Sequence, residues 1–137
     1  MMNVINLNNL TNGKSKNIKI GELSQEVINV LNLNLNPQNI NLWTPRIFEH
    51  CEKHKSEYSS PQAYYQAITH IPEIISSPDY VGIHKNGNIQ YIKRLDDISL
   101  VGIQILKGSK SLLFRTVFPI TEEKLNYSIK TNKFYKI

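Results

Sequence analysis

The fold class of this chain is decided by residues 80–95, which read YVGIHKNGNIQYIKRL. From Tyr80 onward the apolar residues recur with a period of two, which is typical of a β-strand. The Asn-Gly pair at residues 86–87 interrupts this pattern, and such a pair between two alternating segments is a strong signal for a β-hairpin. We therefore predict strands over Tyr80–Lys85 and Ile89–Leu95, joined by a tight turn.

The hairpin is followed by two more segments with the same period, and then by a helix. We predict strands over Ser99–Lys107 and Ser111–Phe118, with a second turn at Gly108-Ser109 between them. Thr121 is a good N-cap for a last helix over Glu122–Lys130, whose first turn carries two glutamates. These segments predict a four-stranded antiparallel meander closed by a C-terminal helix.

The part of the chain before the hairpin is predicted to be mainly helical. A Ser or Thr N-cap precedes each apolar stretch of helical period, and Pro at the first helical position supports two of these helices. The helices are expected over Ser24–Leu31, from Thr44 to about Ser56, and from Ser60 to about Ser77, with Asn39–Trp43 as a short strand or an extended connector and Pro72 as a kink. Helices followed by a meander and a closing helix indicate an α+β fold.

Composition limits the classes of protein to which this chain can belong. Its 137 residues suit one domain, predicted over residues 18–137 after a flexible, Asn-rich lead-in over residues 1–17. Neither a membrane span nor a signal peptide is visible. The lone Cys51 excludes an internal disulfide and argues against a structural zinc site. The net charge of +5 fits a polyanionic partner or, equally, a Lys-rich surface from an AT-rich coding sequence.

Two charged residues interrupt the apolar faces of the predicted strands. Arg115 lies in the middle of the fourth strand, of which both faces are otherwise apolar, and Lys93 interrupts the second strand in the same way. A charge in such a place is costly unless it is paired or faces a cleft, so both are candidate site residues. The alternative for each is a side chain that reaches solvent at a strand end.

His50 and His54 are the third irregularity, because His54 falls within the apolar stripe of the second helix and His50 lies one turn earlier. The pair is open to three interpretations: structural histidines, zinc ligands, or acid–base groups that titrate near neutral pH. Zinc is the weakest of these, since Cys51 occupies the position at which the zincin helix has its glutamate.

Four sequence blocks resemble one known family. In chain order they are IGELS at residues 20–24, IPEIISSPDYVG at 71–82, YIK at 91–93 and FRTVFPIT at 114–121. With the two-histidine helix between the first and the second, they make the chain similar, from about residue 18 to the C-terminal helix, to the phage-associated branch of the barnase–EndoU–colicin–RelE-like (BECR) nucleases. The resemblance implies N-terminal helices packed on a four-stranded antiparallel sheet, with the active site between them.

The resemblance also implies metal-independent RNA cleavage without a cofactor. The catalytic residues that it implies are His50 or His54, Lys93, Arg115 and Thr116. Strand alternation places Thr116 on the face opposite Arg115, so either a bulge intervenes or Thr116 is structural. We favour His54 as the base that takes the proton of the ribose 2′-OH and His50 or Lys93 as the acid, while Arg115 would stabilise the charged phosphorane.

Tyr91 or Trp43 is expected to stack on a base of the substrate, although core packing explains either residue as well. The leading hypothesis is a cytoplasmic ribonuclease of a toxin or phage-conflict system, which leaves a 2′,3′-cyclic phosphate. Its expected partners are the RNA substrate and a cognate immunity protein or antitoxin, with no membrane. The rival is a nucleic-acid- or protein-binding module of the same fold that has lost catalysis.

Overall fold

The computed structural model describes residues 4–5, 15–106 and 111–137, which form seven strands and six helical segments. The strands are β1 (Asn17–Leu23), β2 (Gln38–Trp43), β3 (Tyr80–Ile83), β4 (Ile89–Arg94), β5 (Ile98–Gln104), β6 (Ser111–Pro119) and β7 (Phe134–Lys136). The helices are α1 (Gln25–Leu31), α2 (Pro45–Glu49), a 3₁₀ helix (Cys51–Glu57), α3 (Pro61–Thr69), α4 (Ile71–Ser76) and α5 (Glu122–Lys130).

All seven described strands belong to one mixed sheet, in the order β1-β2-β6-β5-β4-β3-β7. The consecutive strands β3, β4, β5 and β6 pair antiparallel, so the predicted meander is present as part of this sheet. The prediction of a sheet with only four strands is wrong, because β2 joins β6 in parallel, β1 pairs with β2, and β7 pairs with β3. The α+β class and the C-terminal helix are confirmed.

Two of the additional strands, β1 and β7, escape prediction from local sequence, whereas β2 falls on Asn39–Trp43, the segment predicted as a short strand or an extended connector. All three depend on partners that are distant along the chain. β1 buries only Ile20 and Leu23, and β2 buries Ile40 and Leu42 between polar residues. β7 has three residues, of which Phe134 alone is buried. Asn-rich segments have low strand propensity, so ladder bonds to neighbouring strands and burial of these few side chains stabilise them.

The sheet is covered on both faces. Tyr91 and Val117 belong to the main core, to which α1, α3 and α4 also contribute buried side chains. Ile92 and Leu100 lie on the opposite face, where they form a second apolar cluster with Leu125 of α5. Each such side chain contributes roughly 1.5–3 kcal/mol when it is fully buried, so both layers stabilise the central strands β4, β5 and β6.

The predicted second helix consists of two segments, and this difference shapes the site. α2 ends at Glu49, His50 has a φ of −125°, and the 3₁₀ helix follows. Thr44 does not cap α2 with its side chain; instead its Oγ1 accepts a hydrogen bond from the backbone N–H of Lys16 at 3.1 Å. Side chains at i and i+3 line up in a 3₁₀ helix, so positions predicted for an α-helix do not hold after His50.

Near the N-terminus, Ile5 is buried in the main core, and its N–H donates to the carbonyl oxygen of Thr69 at 2.7 Å. Most of the predicted lead-in over residues 1–17 and the predicted turn at Gly108-Ser109 lie outside the described residues, and the domain boundary at residue 17 stays a prediction. Within the described part of the chain, no helix combines the length and the apolar character that crossing a membrane requires.

Candidate active site

A β-bulge in β6 places Arg115 in a special position. Thr116 pairs with Gly102 of β5, and Phe114 pairs with the next residue, Ile103, so Arg115 has no partner across the ladder. The carbonyl oxygen of Arg115 accepts a hydrogen bond from Nε of Arg46 at 2.7 Å. Bulges re-aim side chains and are common beside active sites. The bulge thus explains how a central strand accommodates a charged residue.

α2 and the 3₁₀ helix lie against β6 and bring both candidate histidines to the same place. The ring centroids of His50 and His54 are 5.8 Å apart, and the His54 ring is 5.5 Å from the ring of Phe118 on β6. Arg46, which is anchored to the Arg115 backbone, completes the group. We call Arg46, His50, His54 and Arg115 the histidine–arginine cluster; all four are half-buried.

Positive charge is concentrated in this cluster. Among the described residues, neither Arg46 nor Arg115 forms an ion pair with a carboxylate. Burial, and then the neighbouring charges of Arg46, His54, Lys53 and Arg115, lower the pKa of His50 from its ordinary value of 6.5. Burial and the nearby Arg115 also lower the pKa of Arg46. The cluster therefore favours a phosphate group as its ligand and keeps His50 neutral at pH 7.

Glu57 orients His54. Its Oε2 lies 2.6 Å from Nδ1 of His54, and the two residues are three apart in the 3₁₀ helix, whose geometry aligns such side chains. An ionised carboxylate can only accept, so Nδ1 carries the proton. The Nε2 atom of His54 is then the nitrogen that remains for a ligand or a reacting proton.

The end of the 3₁₀ helix is fixed to the beginning of β5. The hydroxyls of Tyr58 and Ser99, both buried, are 3.2 Å apart. The N–H and the hydroxyl of Ser59 donate to the carboxylate of Asp97 at 2.7 and 2.8 Å. Together with the bond between Arg46 and the Arg115 carbonyl oxygen, these contacts attach the histidine segment, residues 44–58, to the sheet at both of its ends.

Comparison with known families adds to this geometry. Residues 18–127 match the model of a family described as phage-Barnase-EndoU-ColicinE5/D-RelE like nuclease 3, or PBECR3. The chain belongs to this nuclease family. The match includes α2, the 3₁₀ helix and β6, hence the whole histidine–arginine cluster, and it confirms the resemblance found in the sequence. It supports a nuclease-like function in general. Neither a curated protein nor a solved structure matches the chain.

Lys93 is not part of the cluster in this PBECR3 protein. Its Nζ donates to the carbonyl oxygen of Ser77, directly after α4, at 2.7 Å. Lys93 pairs with Ser99 on β5, and Ser99 pairs with Pro119 on β6, so two strand spacings of about 5 Å each separate its backbone from β6. The structure therefore does not bring Lys93 together with the two histidines.

Thr116 also differs from the other predicted catalytic residues. The bulge that would have to intervene is present at Arg115, but Thr116 itself stays in register with Gly102 of β5. Its Cγ2 lies only 3.2 Å from where a Cβ at Gly102 would be, so the side chain covers that glycine. Its Oγ1 is buried, with no hydrogen-bond partner among the described residues. A structural role for Thr116 fits these observations better than contact with a substrate.

The two aromatic residues predicted to stack on a base have opposite environments. Tyr91 is completely buried in the main core, so no face of its ring is accessible to a nucleotide. Core packing, the alternative given above, accounts for Tyr91. Trp43, at the end of β2 and directly before α2, is 49% exposed and stays a candidate for substrate contact.

Arg46, Glu57 and Phe118 contact the candidate residues but are not singled out by the sequence. Arg46 precedes His50 by four residues, a spacing that places side chains on one face of a helix, so this signal was available. The spacing of three between His54 and Glu57 has meaning only once the 3₁₀ helix is known. Phe118 meets His54 through the tertiary packing of β6, which local sequence does not show.

Cys51 and the acidic residues complete the description of the site. Cys51 is buried between the two histidines along the chain, and burial raises the pKa of its thiol to about 11, so it is not a reactive thiolate. Among the described residues, no group of three or more His, Cys, Asp or Glu side chains is placed to hold a metal ion. The side chains of the histidine–arginine cluster offer imidazole and guanidinium groups for chemistry.

Proposed function

We propose that this PBECR3-family protein is a ribonuclease that cleaves RNA by attack of the ribose 2′-OH and needs no metal ion. The observation that carries the proposal is the pair of imidazole rings 5.8 Å apart, beside two arginines that have no carboxylate partner among the described residues. Two titratable groups can serve as base and acid, and two guanidiniums can stabilise the charge that develops on a phosphorane.

His50 is the better candidate for the base. Burial and the surrounding positive charges lower its pKa, so it is unprotonated at neutral pH and able to accept the 2′-OH proton. The 2′-oxygen then attacks the phosphorus atom, the bond from phosphorus to the 5′-oxygen breaks, and a 2′,3′-cyclic phosphate forms. This assignment reverses our preference from the sequence, which favoured His54 as the base.

His54 is then the acid that protonates the departing 5′-oxygen from Nε2. Glu57 holds the Nδ1 proton at 2.6 Å and fixes the ring orientation, so Glu57 acts as a positioning residue. Arg115 and Arg46 bind the scissile phosphate, and their charge is most valuable as the phosphorane forms. Lys93, placed at Ser77, has no role in this scheme.

The biological setting that we propose is that of a toxin or phage-conflict effector acting on RNA in the cytoplasm. Family membership, with its phage-related description, supports this setting. A ribonuclease of this kind endangers the cell that makes it, so we also propose a cognate immunity protein or antitoxin as its partner.

The proposal is tested by incubating the purified protein with total RNA in EDTA and determining the chemistry of the fragment ends. Wild type and a His84→Gln control, in which an exposed histidine of the hairpin is changed, should yield cyclic-phosphate ends. His50→Gln should yield intact RNA while keeping its melting temperature. Intact RNA with the folded wild type, combined with salt-dependent RNA binding, would favour the non-catalytic binding module instead.

A further inference from the structure

Aromatic rings and lysines continue from the histidine–arginine cluster onto α5. The ring of Phe118, which is 5.5 Å from the His54 ring, is also 6.0 Å from Nζ of Lys124 in the first turn of α5. Phe118 is half-buried and Lys124 is exposed. The cluster and α5 are therefore linked by direct side-chain neighbours.

The same arrangement is repeated one turn further along the helix. Tyr127 follows Lys124 by three residues, which places the two side chains on adjacent positions of one helix face. Tyr127 is 60% exposed, and Nζ of Lys133 lies 5.3 Å from its ring centroid. We call Phe118, Lys124, Tyr127 and Lys133 the α5 track, since ring and cation alternate along it away from His54.

The charge on this surface is mainly positive. Lys130, in the last turn of α5, follows Tyr127 by three residues and is exposed. Of the two acidic residues in the first turn of α5, Glu122 is engaged by Arg94 through both of its carboxylate oxygens, while Glu123 is exposed. A polyanion that lies along the helix would therefore meet several lysines and one unpaired carboxylate among the described residues of α5.

We propose that the α5 track binds single-stranded RNA next to the phosphate that is cleaved. In this assignment a base stacks on the exposed ring of Tyr127, and Lys124 and Lys133 contact the flanking phosphates. Alternating aromatic and basic side chains on an open surface are suited to a single strand, whose bases are free to stack. The proposal rests on the proposed function, because that function makes RNA the ligand of the adjoining cluster.

A second cation–aromatic pair elsewhere on the surface provides a matched control. Nζ of Lys55 lies 4.8 Å from the ring centroid of Tyr65 and also donates to the Tyr65 hydroxyl at 2.9 Å. Tyr65 is 39% exposed on α3, so its removal changes a comparable ring outside the track.

The binding test uses a 2′-O-methyl oligonucleotide, which has no 2′-OH to attack, labelled for fluorescence anisotropy. Tyr127→Ala should weaken binding about tenfold, the size expected for loss of one stacked base, whereas Tyr65→Ala should bind like wild type. Lys133→Met should reduce the slope of log K against log salt concentration by about 0.7, as expected when one contact to a single-strand phosphate is lost. Equal affinity of wild type and the three variants, or failure of wild type to bind, would overturn the proposal.

Cleavage of a dinucleotide separates this inference from the proposed function. A dinucleotide has a single phosphate, which the proposed function places in the cluster, so it has no flanking phosphate for Lys124 or Lys133, and Tyr127→Ala should slow its cleavage much less than it weakens oligonucleotide binding. A loss of dinucleotide cleavage equal to the loss of oligonucleotide binding would show that α5 acts on the cluster itself and would overturn the track. If wild type does not cleave the dinucleotide but the binding results are as expected, the proposed function is contradicted and the α5 track remains a binding site for RNA.

Discussion

The meander β3–β6 and the segment from Thr44 to Tyr58 position their candidate residues by different means. In the meander, neighbouring strands keep a regular register, and a single interruption at Arg115 redirects one side chain. In the segment, a short helix and a 3₁₀ helix depend on attachments to Lys16, which directly precedes β1, and to β5 and β6. The histidine–arginine cluster takes Arg115 from the first region and its histidines from the second, so it requires both.

The largest loss of RNA cleavage is expected when His50 of the segment or Arg115 of the meander is replaced. His50→Gln and Arg115→Met should each lower RNA cleavage about 100-fold or more, because one removes the base and the other a cation that stabilises the phosphorane. Arg115→Met leaves the backbone carbonyl that Arg46 bonds, so α2 stays attached. Single-turnover rates of the two variants and of the double variant measure the effect.

The double variant sharpens the comparison between the regions. If the two residues act as one unit, the double variant should cleave little more slowly than the slower single variant. Multiplication of the two losses would indicate that the meander and the segment contribute independently, contrary to a shared site.

A smaller loss of cleavage is expected when Glu57, the positioning residue, is replaced. Glu57→Gln keeps the shape of the side chain but replaces a charge-assisted hydrogen bond to His54 with a neutral one. The difference of roughly 1–1.5 kcal/mol predicts a kcat about tenfold lower with little change in KM. Glu49→Gln, an exposed carboxylate of α2, is the matched control and should behave like wild type. A change in KM alone would place Glu57 in substrate binding instead.

Two variants that lower the free energy of unfolding by a similar amount should differ in their effect on cleavage, because one lies at the end of the 3₁₀ helix and the other in the meander. Asp97→Ala removes both acceptors of Ser59 at the end of the 3₁₀ helix, and Gly87→Ala forces a side chain into a turn with a φ of +94°. Each should lower the free energy of unfolding by about 1 kcal/mol. We expect only Asp97→Ala to reduce cleavage as well, by several-fold, because it loosens the histidine segment. Urea unfolding and single-turnover rates test this, and an equal rate for both variants would contradict the distinction.

The smallest effect is a change in pH dependence. Because the pKa of His50 is lowered from its ordinary value of 6.5, the acidic limb of the pH–rate profile, on which the base becomes protonated, should have its midpoint below pH 6.5. Arg46 contributes to this lowering, so Arg46→Met should move the midpoint of the acidic limb upward. An unmoved midpoint would exclude Arg46 as a neighbour that controls the base.

The lowered pKa of His50 also makes the free energy of unfolding depend on pH. Below pH 6.5 the unfolded chain protonates this histidine more readily than the folded protein does, so the free energy of unfolding should decrease as pH falls through that range. His50→Gln should reduce this decrease, which a series of urea titrations at different pH would measure. An unchanged pH dependence in the variant would contradict the lowered pKa.

Local signals are sufficient for much of the fold. The side chains of Ser24, Ser60 and Thr121 accept the capping hydrogen bonds predicted for them, and Gly87 has the positive φ that its turn requires. Each of these features is specified by residues close together in the chain.

The rest of the fold and the site depend on contacts between distant residues. β1, β2 and β7 are held by strand pairing. The break at His50 and the bulge at Arg115 lie where α2 and the 3₁₀ helix contact β6. The sequence singled out His50, His54 and Arg115, which the structure brings together. The sequence also singled out Lys93, but it did not show the contact of Lys93 with Ser77, which depends on the packing of α4. The catalytic roles of His50, His54, Lys93, Arg115 and Thr116 stay predictions.

The most direct test of the central claim is identification of the product formed from a single dinucleotide in EDTA. The two-histidine scheme predicts a 2′,3′-cyclic phosphate and a free 5′-hydroxyl with wild type, detected by phosphorus NMR, and unreacted dinucleotide with His50→Gln. A product that carries a 5′-phosphate, or equal cleavage by His50→Gln, would contradict attack by the 2′-OH with His50 as its base.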